Sequence, residues 1–153
     1  MKITKNLSLS ELTASRTAKR LGIDNTPTKE HLENLKEVGA IIFQPLRDFF
    51  KTPIYVSSGY RSEALNKAIG GAKSSQHMKG EALDLDADVY GVITNADIFH
   101  YIKDNLVFDQ LILENVGNDG TGGWIHVSYS NGKNRGKVMV MDIVNGKSKY
   151  RLY

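Results

Sequence analysis

The chain opens with apolar positions whose spacing is helical rather than extended. Ser8 and Glu11 stand at the separation of a capping box, and Leu9, Leu12 and Leu21 follow with polar residues between them, which predicts a first helix running to about Gly22. Thr26 before Pro27 starts a second, longer one. Its apolar positions Leu32, Leu35, Val38, Ile41, Ile42, Leu46 and Phe49 recur at helical spacing, as expected of a core helix. Pro45 is placed to kink or end it, because proline lacks a backbone N–H and its ring crowds the preceding turn.

After Pro53 the period shortens. Residues 54–56 read as a short strand, followed by Ser57-Ser58-Gly59-Tyr60-Arg61 and a short helix over 62–69, after which Gly70 and Gly71 open a polar loop. Residues 81–87 alternate in strand fashion, 94–106 read as a helix, and 109–116 and 124–130 as strands. Asn131-Gly132 and Asn145-Gly146 are hairpin turn signals around a last strand or two. Helices first and strands later predict an α+β domain, with N-terminal helices packed on a small, mainly antiparallel sheet.

Length and composition narrow the class without naming a function. The 153 residues suit one domain spanning 1–153, and 41% hydrophobic with 24% charged residues is ordinary for a globular chain that folds throughout. The net charge of +3 is spread out, with a modest concentration over 133–151. It would help the protein approach an anionic polymer without identifying which. No helix-turn-helix or aromatic-basic signature points to nucleic acid, and none is expected as a partner. With no cysteine, disulfides, thiolate nucleophiles and Cys-bound zinc are excluded, so any metal must be held by histidine and carboxylate. The N-terminus lacks the apolar run of a secretory signal and no window reaches the length of a membrane span. The expectation is a protein that is cytoplasmic as synthesised, has no stable membrane association and is a monomer.

Two of the four histidines sit in unusual company. His77 lies in a polar loop, and Asp84 follows on a strand whose alternation puts Ala82, Asp84 and Asp86 on one face and Leu83 and Leu85 on the other. A carboxylate in a mainly apolar strand is costly to bury unless it is paired or metal-bound. Further on, Trp124, His126 and Ser128 share a face, with Ile125, Val127 and Tyr129 on the other. If the two strands lie close, His77, Asp84 and His126 converge on a point. Two imidazoles and a carboxylate leave one tetrahedral position open, which suits a catalytic zinc site rather than a structural one.

Residues 75–84, Ser-Gln-His-Met-Lys-Gly-Glu-Ala-Leu-Asp, resemble the S-x-H-x-x-G-x-A-x-D motif of the M15 family of zinc peptidases. That family includes D-alanyl-D-alanine carboxypeptidases, vancomycin-resistance dipeptidases and phage endolysins. Trp124-Ile125-His126 resembles the segment carrying the family's third ligand, and residues 57–62 resemble its S-G-Y-R-S segment, whose arginine lies at the active site. The resemblance implies a hedgehog/D,D-peptidase-type fold and zinc held by His77, Asp84 and His126. It also implies hydrolysis of amide bonds in peptidoglycan stem peptides or cross-bridges, by a D,D-carboxypeptidase or an endopeptidase. The absent signal fits a phage or prophage lysis enzyme that reaches the wall after release.

The sequence departs from the best-known members at the catalytic base, where an acid three residues before the third ligand is replaced by Gly123. Glu114 is the favoured substitute, set beside His126 across a hairpin with loop 115–123, and Asp119 is the alternative. Arg61 is a candidate for stabilising the oxyanion or binding a substrate carboxylate, since guanidinium offers a planar fork of donors. Ser75 and Gln76 are candidates for holding substrate or orienting His77. Asp84, Asp86 and Asp88 alternate like the start of a calcium loop, but Val89 and Asn95 stand where it needs Gly and Glu. Asp86 and Asp88 are read as solvated strand-end residues, and His31 and His100 as structural or exposed. A second class of function is a non-catalytic, zinc-containing module that binds cell-wall peptides.

Overall fold

The computed structural model describes residues 1–117 and 120–153. Ser8 caps α1 (Leu9–Thr13) with a full capping box: its Oγ accepts from the Glu11 N–H at 3.3 Å, and the Glu11 carboxylate accepts from the Ser8 N–H at 2.8 Å. The helix expected to reach Gly22 is broken in two. The Leu12 carbonyl, which in a continuous helix would accept from residue 16, accepts from the Tyr60 N–H at 2.7 Å, and the Thr13 carbonyl accepts from Asn25 Nδ2 at 2.9 Å. With both carbonyls taken, the chain extends at Ala14, and Ser15 recaps α2 (Arg16–Leu21), which ends at a left-handed Gly22.

Thr28, two residues later than expected, caps α3 (Lys29–Val38). Pro45 does not end this helical stretch. A π-helical turn, Gly39–Phe43, lets the Gln44 N–H reach the Gly39 carbonyl five residues back, and α4 (Gln44–Phe50) continues beyond it. The wider turn relieves the clash between the proline ring and the carbonyl four residues earlier. Leu35, Val38, Ile42 and Leu46 carry the core face. Phe49 is 59% exposed and instead packs edge-to-face against Phe50 and tilted over Tyr101.

After a two-stranded ribbon of β1 (Lys2–Thr4) and β2 (Leu7–Ser8), the main sheet has six strands. They are β3 (Tyr55–Ser58), β4 (Ala82–Asp86), β5 (Gln110–Glu114), β6 (Trp124–Ser128), β7 (Lys137–Val144) and β8 (Lys147–Leu152), in the order β3-β4-β6-β5-β7-β8. Its pairings are antiparallel except that of β5 with β7, in keeping with a mixed α+β architecture. Asn145 and Gly146, with φ of 53° and 76°, turn β7 into β8 as their sequence predicts. Asn131-Gly132 makes no such hairpin, because the chain leaving β6 passes β5 before β7 pairs on its far side.

Leu83, Leu85, Leu111, Leu113, Ile125 and Val127 form the buried face of the sheet. They join one core with Leu35, Val38 and Ile42, and with Ile98, Phe99 and Ile102 of the helix Asn95–Asn105. Each such aliphatic side chain contributes about 1.5–3 kcal/mol when buried. A one-residue slip of β4 or β6 would put Asp84 or His126 into this core, so the register is strongly specified. The opposite face carries Asp84, His126, Ile112 and Glu114. Among the described residues no helix is long and apolar enough to cross a membrane.

Candidate metal centre

Asp84 and His126 are direct cross-strand partners on β4 and β6, and their side chains meet, His126 Nδ1 lying 3.1 Å from Asp84 Oδ1. His77 arrives from a 3₁₀ turn (Gln76–Lys79) capped by Ser75, and its Nε2 lies 3.2 Å from the same oxygen. The ligating atoms of all three lie within 4.8 Å of one another.

The protonation chemistry of this cluster points to a cation. His77 Nδ1 is 2.7 Å from the Gly59 carbonyl oxygen, which can only accept, so that nitrogen carries the proton. In a neutral ring, Nε2 is then a lone pair aimed at an oxygen lone pair of Asp84. Two acceptors face to face need something positive between them, either a proton or a metal ion. Two imidazole nitrogens and one carboxylate oxygen are a donor set suited to zinc, and the Gly59 bond is the kind of outer contact that orients such a ligand. Burial by itself would raise the Asp84 carboxyl, but the charges and hydrogen bonds of His77 and His126 override it and hold the group well below the usual carboxylate range.

Arg61 sits behind Asp84. Its Nη2 donates to Asp84 Oδ2 at 3.3 Å, its Nε to Ser58 Oγ at 3.0 Å and its Nη1 to Asn66 Oδ1 at 3.5 Å, with the side chain only 16% exposed. The turn that carries it is clamped by Asn25, whose amide donates to the Tyr60 carbonyl at 3.1 Å and whose oxygen accepts from the Ser62 N–H at 2.7 Å. Gly59 must lack a side chain here, since a Cβ would come within 2.5 Å of the Leu12 carbonyl oxygen.

Glu114 occupies the same face, one register step from the position expected. Its partner on β6 is Trp124, and the partner of His126 is Ile112, so Glu114 lies diagonal to the histidine rather than beside it. Burial and the negative charge of Asp84 raise the Glu114 carboxyl above its ordinary value, against the opposing pull of His126, a hydrogen bond with the Trp124 side chain and Arg61. Asp119, the alternative base, lies outside the described residues.

A cleft of about 490 Å³ joins these groups, lined among others by Arg61, His77, Asp84, Glu114 and His126. Ser75 and Gln76 also line it, but both are engaged: Ser75 Oγ accepts from the His77 N–H at 3.3 Å, and Gln76 Nε2 donates to Asp109 Oδ2 at 3.0 Å. Asp86, read as a solvated strand end, accepts from the Asp88 N–H at 3.0 Å and from Asn95 Nδ2 at 3.2 Å, which caps the turn after β4. His31 is half-buried against Tyr60, and His100 is exposed.

The family model for Peptidase M15 matches residues 5–128, which include all three cluster residues and both ends of the β5–β6 hairpin. The chain belongs to the Peptidase M15 family. A search of curated proteins finds no match. As an M15 peptidase, the protein is a member of a metallopeptidase family, and its His77, Asp84 and His126 form a cluster able to bind a metal. Several residues that support this M15 site carry no motif of their own. Asn25 acts through the Tyr60 carbonyl, distant in sequence, Asn66 through the nearby Ala72 carbonyl, and Arg135 and Tyr150 reach the cleft from beyond the matched region.

Proposed function

We propose that the protein is a zinc-dependent peptidase, of hedgehog/D,D-peptidase-type fold, that hydrolyses amide bonds in peptidoglycan stem peptides or cross-bridges. The observation that carries this reading is the meeting of His77 Nε2 and His126 Nδ1 on Asp84 Oδ1, with the His77 tautomer set by the Gly59 carbonyl. Zinc held by these three residues would supply Lewis acidity toward the scissile carbonyl and toward water.

The chain's own residues do the rest. Glu114 takes a proton from the attacking water and delivers it to the nitrogen of the leaving amine. Its raised carboxyl makes it a stronger base toward that water than an ordinary glutamate. Trp124, its cross-strand partner on β6, flanks it on the same face of the sheet. Arg61 fixes the second oxygen of Asp84 and sets a positive charge at the cleft, where negative charge develops on the carbonyl oxygen. Ser75 acts on His77, from whose N–H its Oγ accepts, and Gln76 ties the His77 loop to Asp109, so both serve the ligand's position more than the substrate.

The test is digestion of purified peptidoglycan by wild-type, Glu114→Ala and His126→Ala proteins, with and without chelator, followed by mass spectrometry of released fragments. New amine termini from the wild type alone, lost with chelator, are expected, and the fragment masses name the bond. No cleavage by folded, zinc-loaded wild type across several wall chemistries would leave a zinc-containing module that binds wall peptides without cutting them.

A further inference from the structure

Beyond the catalytic groups, one wall of the cleft is built by Arg135 and Tyr150, both outside the matched residues 5–128. Arg135 precedes β7 and is anchored by Asp109, a buried carboxylate. Asp109 Oδ1 accepts from Arg135 Nε at 2.9 Å and from the Arg135 backbone N–H at 3.0 Å, and Oδ2 accepts from Nη2 at 2.9 Å. The same Oδ2 accepts from Gln76, the neighbour of His77. Arg135 is therefore fixed relative to the metal cluster through a single shared carboxylate.

The two arginines of the cleft differ in what they have left to offer. Arg61 is mostly buried, with all three nitrogens directed at Ser58, Asn66 and Asp84. The Arg135 side chain is 58% exposed, and Asp109 occupies only the Nε–Nη2 edge of its guanidinium. Guanidinium has five N–H donors, and the end-on edge between the two Nη atoms is a second fork that matches a carboxylate. Among the described residues Nη1 has no partner.

We propose that this outer edge of Arg135 is a carboxylate subsite, which makes the protein prefer peptides bearing a free carboxylate over the amidated forms. The inference rests on the reading of the cleft as a wall-peptide site and deepens it. In a stem peptide the carboxylate has two sources, the C-terminus or the α-carboxyl of a γ-linked glutamate, and both offer the same chemistry to the arginine.

The test titrates two matched peptide pairs, acid against amide at the C-terminus and acid against amide at the γ-linked glutamate, into the metal-free full chain by calorimetry, so that no cleavage intervenes. Wild type should bind the acid of at least one pair roughly 10- to 100-fold tighter than its amide, the range of a charge-assisted hydrogen bond. The pair that discriminates names the source. Arg135→Gln also loses two hydrogen bonds to the buried Asp109 and is titrated below its own melting transition, where the ratio should fall to near one, and Arg135→Lys should restore part of it. With zinc, the same loss should appear in KM for the acid and not in kcat. Equal affinity, or equal lack of binding, for acid and amide in both pairs would overturn the proposal, as would a ratio that Arg135→Gln leaves intact. Failure to cleave purified wall is a separate result, which strikes at the peptidase reading and not at the carboxylate preference.

Discussion

Zinc should raise the melting temperature of the wild-type chain and leave an Asp84→Asn variant almost unmoved. The metal-free cluster sets His77 Nε2 against Asp84 Oδ1 at 3.2 Å, with the other ring nitrogen committed to the Gly59 carbonyl. A cation is needed there only while both atoms are acceptors. An asparagine can turn its NH₂ toward Nε2, so the substitution removes a ligand and also the need for positive charge. An ion bound only by the folded state at 100 to 1,000 times its Kd stabilises by about 2.7–4.1 kcal/mol. In a chain of this size each kcal/mol moves the midpoint by about 2–4 °C, so the expected rise is roughly 5–16 °C.

The measurement is thermal unfolding over a series of chelator-buffered zinc concentrations, with metal content per chain determined in parallel. Acidification should weaken the effect, because protons compete with the metal for His77 Nε2 and His126 Nδ1. Without metal, Asp84→Asn should itself cost about 1–3 kcal/mol, since it takes the charged acceptor away from the part-buried Arg61. One zinc per chain with the same midpoint shift in wild type and Asp84→Asn would place the ion elsewhere and refute the lone-pair argument.

Further substitutions separate the base from the scaffold. Glu114→Gln should lower kcat by about 10²- to 10⁴-fold with zinc content unchanged, and the acid limb of the wild-type rate profile should lie above the ordinary glutamate range because the base must be deprotonated. Since the folded state holds the Glu114 proton more tightly than the unfolded chain, metal-free wild type should lose stability as pH rises from the ordinary value through the raised one. The midpoint advantage of Glu114→Gln should grow across that window and then level off, which a pH series of melts would check. Gly59→Ala, whose Cβ meets the Leu12 carbonyl oxygen at 2.5 Å, should cost about 1–3 kcal/mol and weaken zinc binding in a chelator competition, because the same shift displaces the carbonyl that holds His77. Asn25→Ala should cost a similar 1–3 kcal/mol in denaturant melts, having left the Ser62 N–H and two carbonyls without their partner.

What could be read from the sequence was set by local periodicity. Alternation along β4 and β6 placed Asp84 and His126 opposite the core residues Leu83, Leu85, Ile125 and Val127, because a half-buried strand has only two faces. Face is easier to read than register. The loop from Asn115 to Gly123 closes β5 onto β6 at Glu114 and Trp124, and a shift of one pair of residues would have kept every side chain on its face. The loop agrees with the one the sequence predicts, and with it Glu114 faces Trp124 and lies diagonal to His126. The break between α1 and α2 was invisible for a different reason, since the groups that cause it, the Tyr60 N–H and the Asn25 amide, come from elsewhere in the chain. The parallel entry of β7 beside β5 depends likewise on a crossing that no turn motif encodes.

The broken helix and the metal cluster belong to one arrangement. Ending α1 at Thr13 releases the Leu12 carbonyl to Tyr60, which brings Gly59 against α1, and Gly59 then presents its own carbonyl to His77. A continuous helix would keep one more turn of internal hydrogen bonds and would lose the group that fixes the histidine tautomer. The supports for the ligands thus come from within residues 5–128, while Arg135 and Tyr150 enter the cleft from the segment that follows. Asp109 joins the two parts, bonded on one side to the neighbour of a ligand and on the other to the arginine that faces solvent. Substitutions in the β6–β7 connection can therefore change what the cleft accepts without disturbing the groups that hold metal, whereas substitutions at Asp109 should do both.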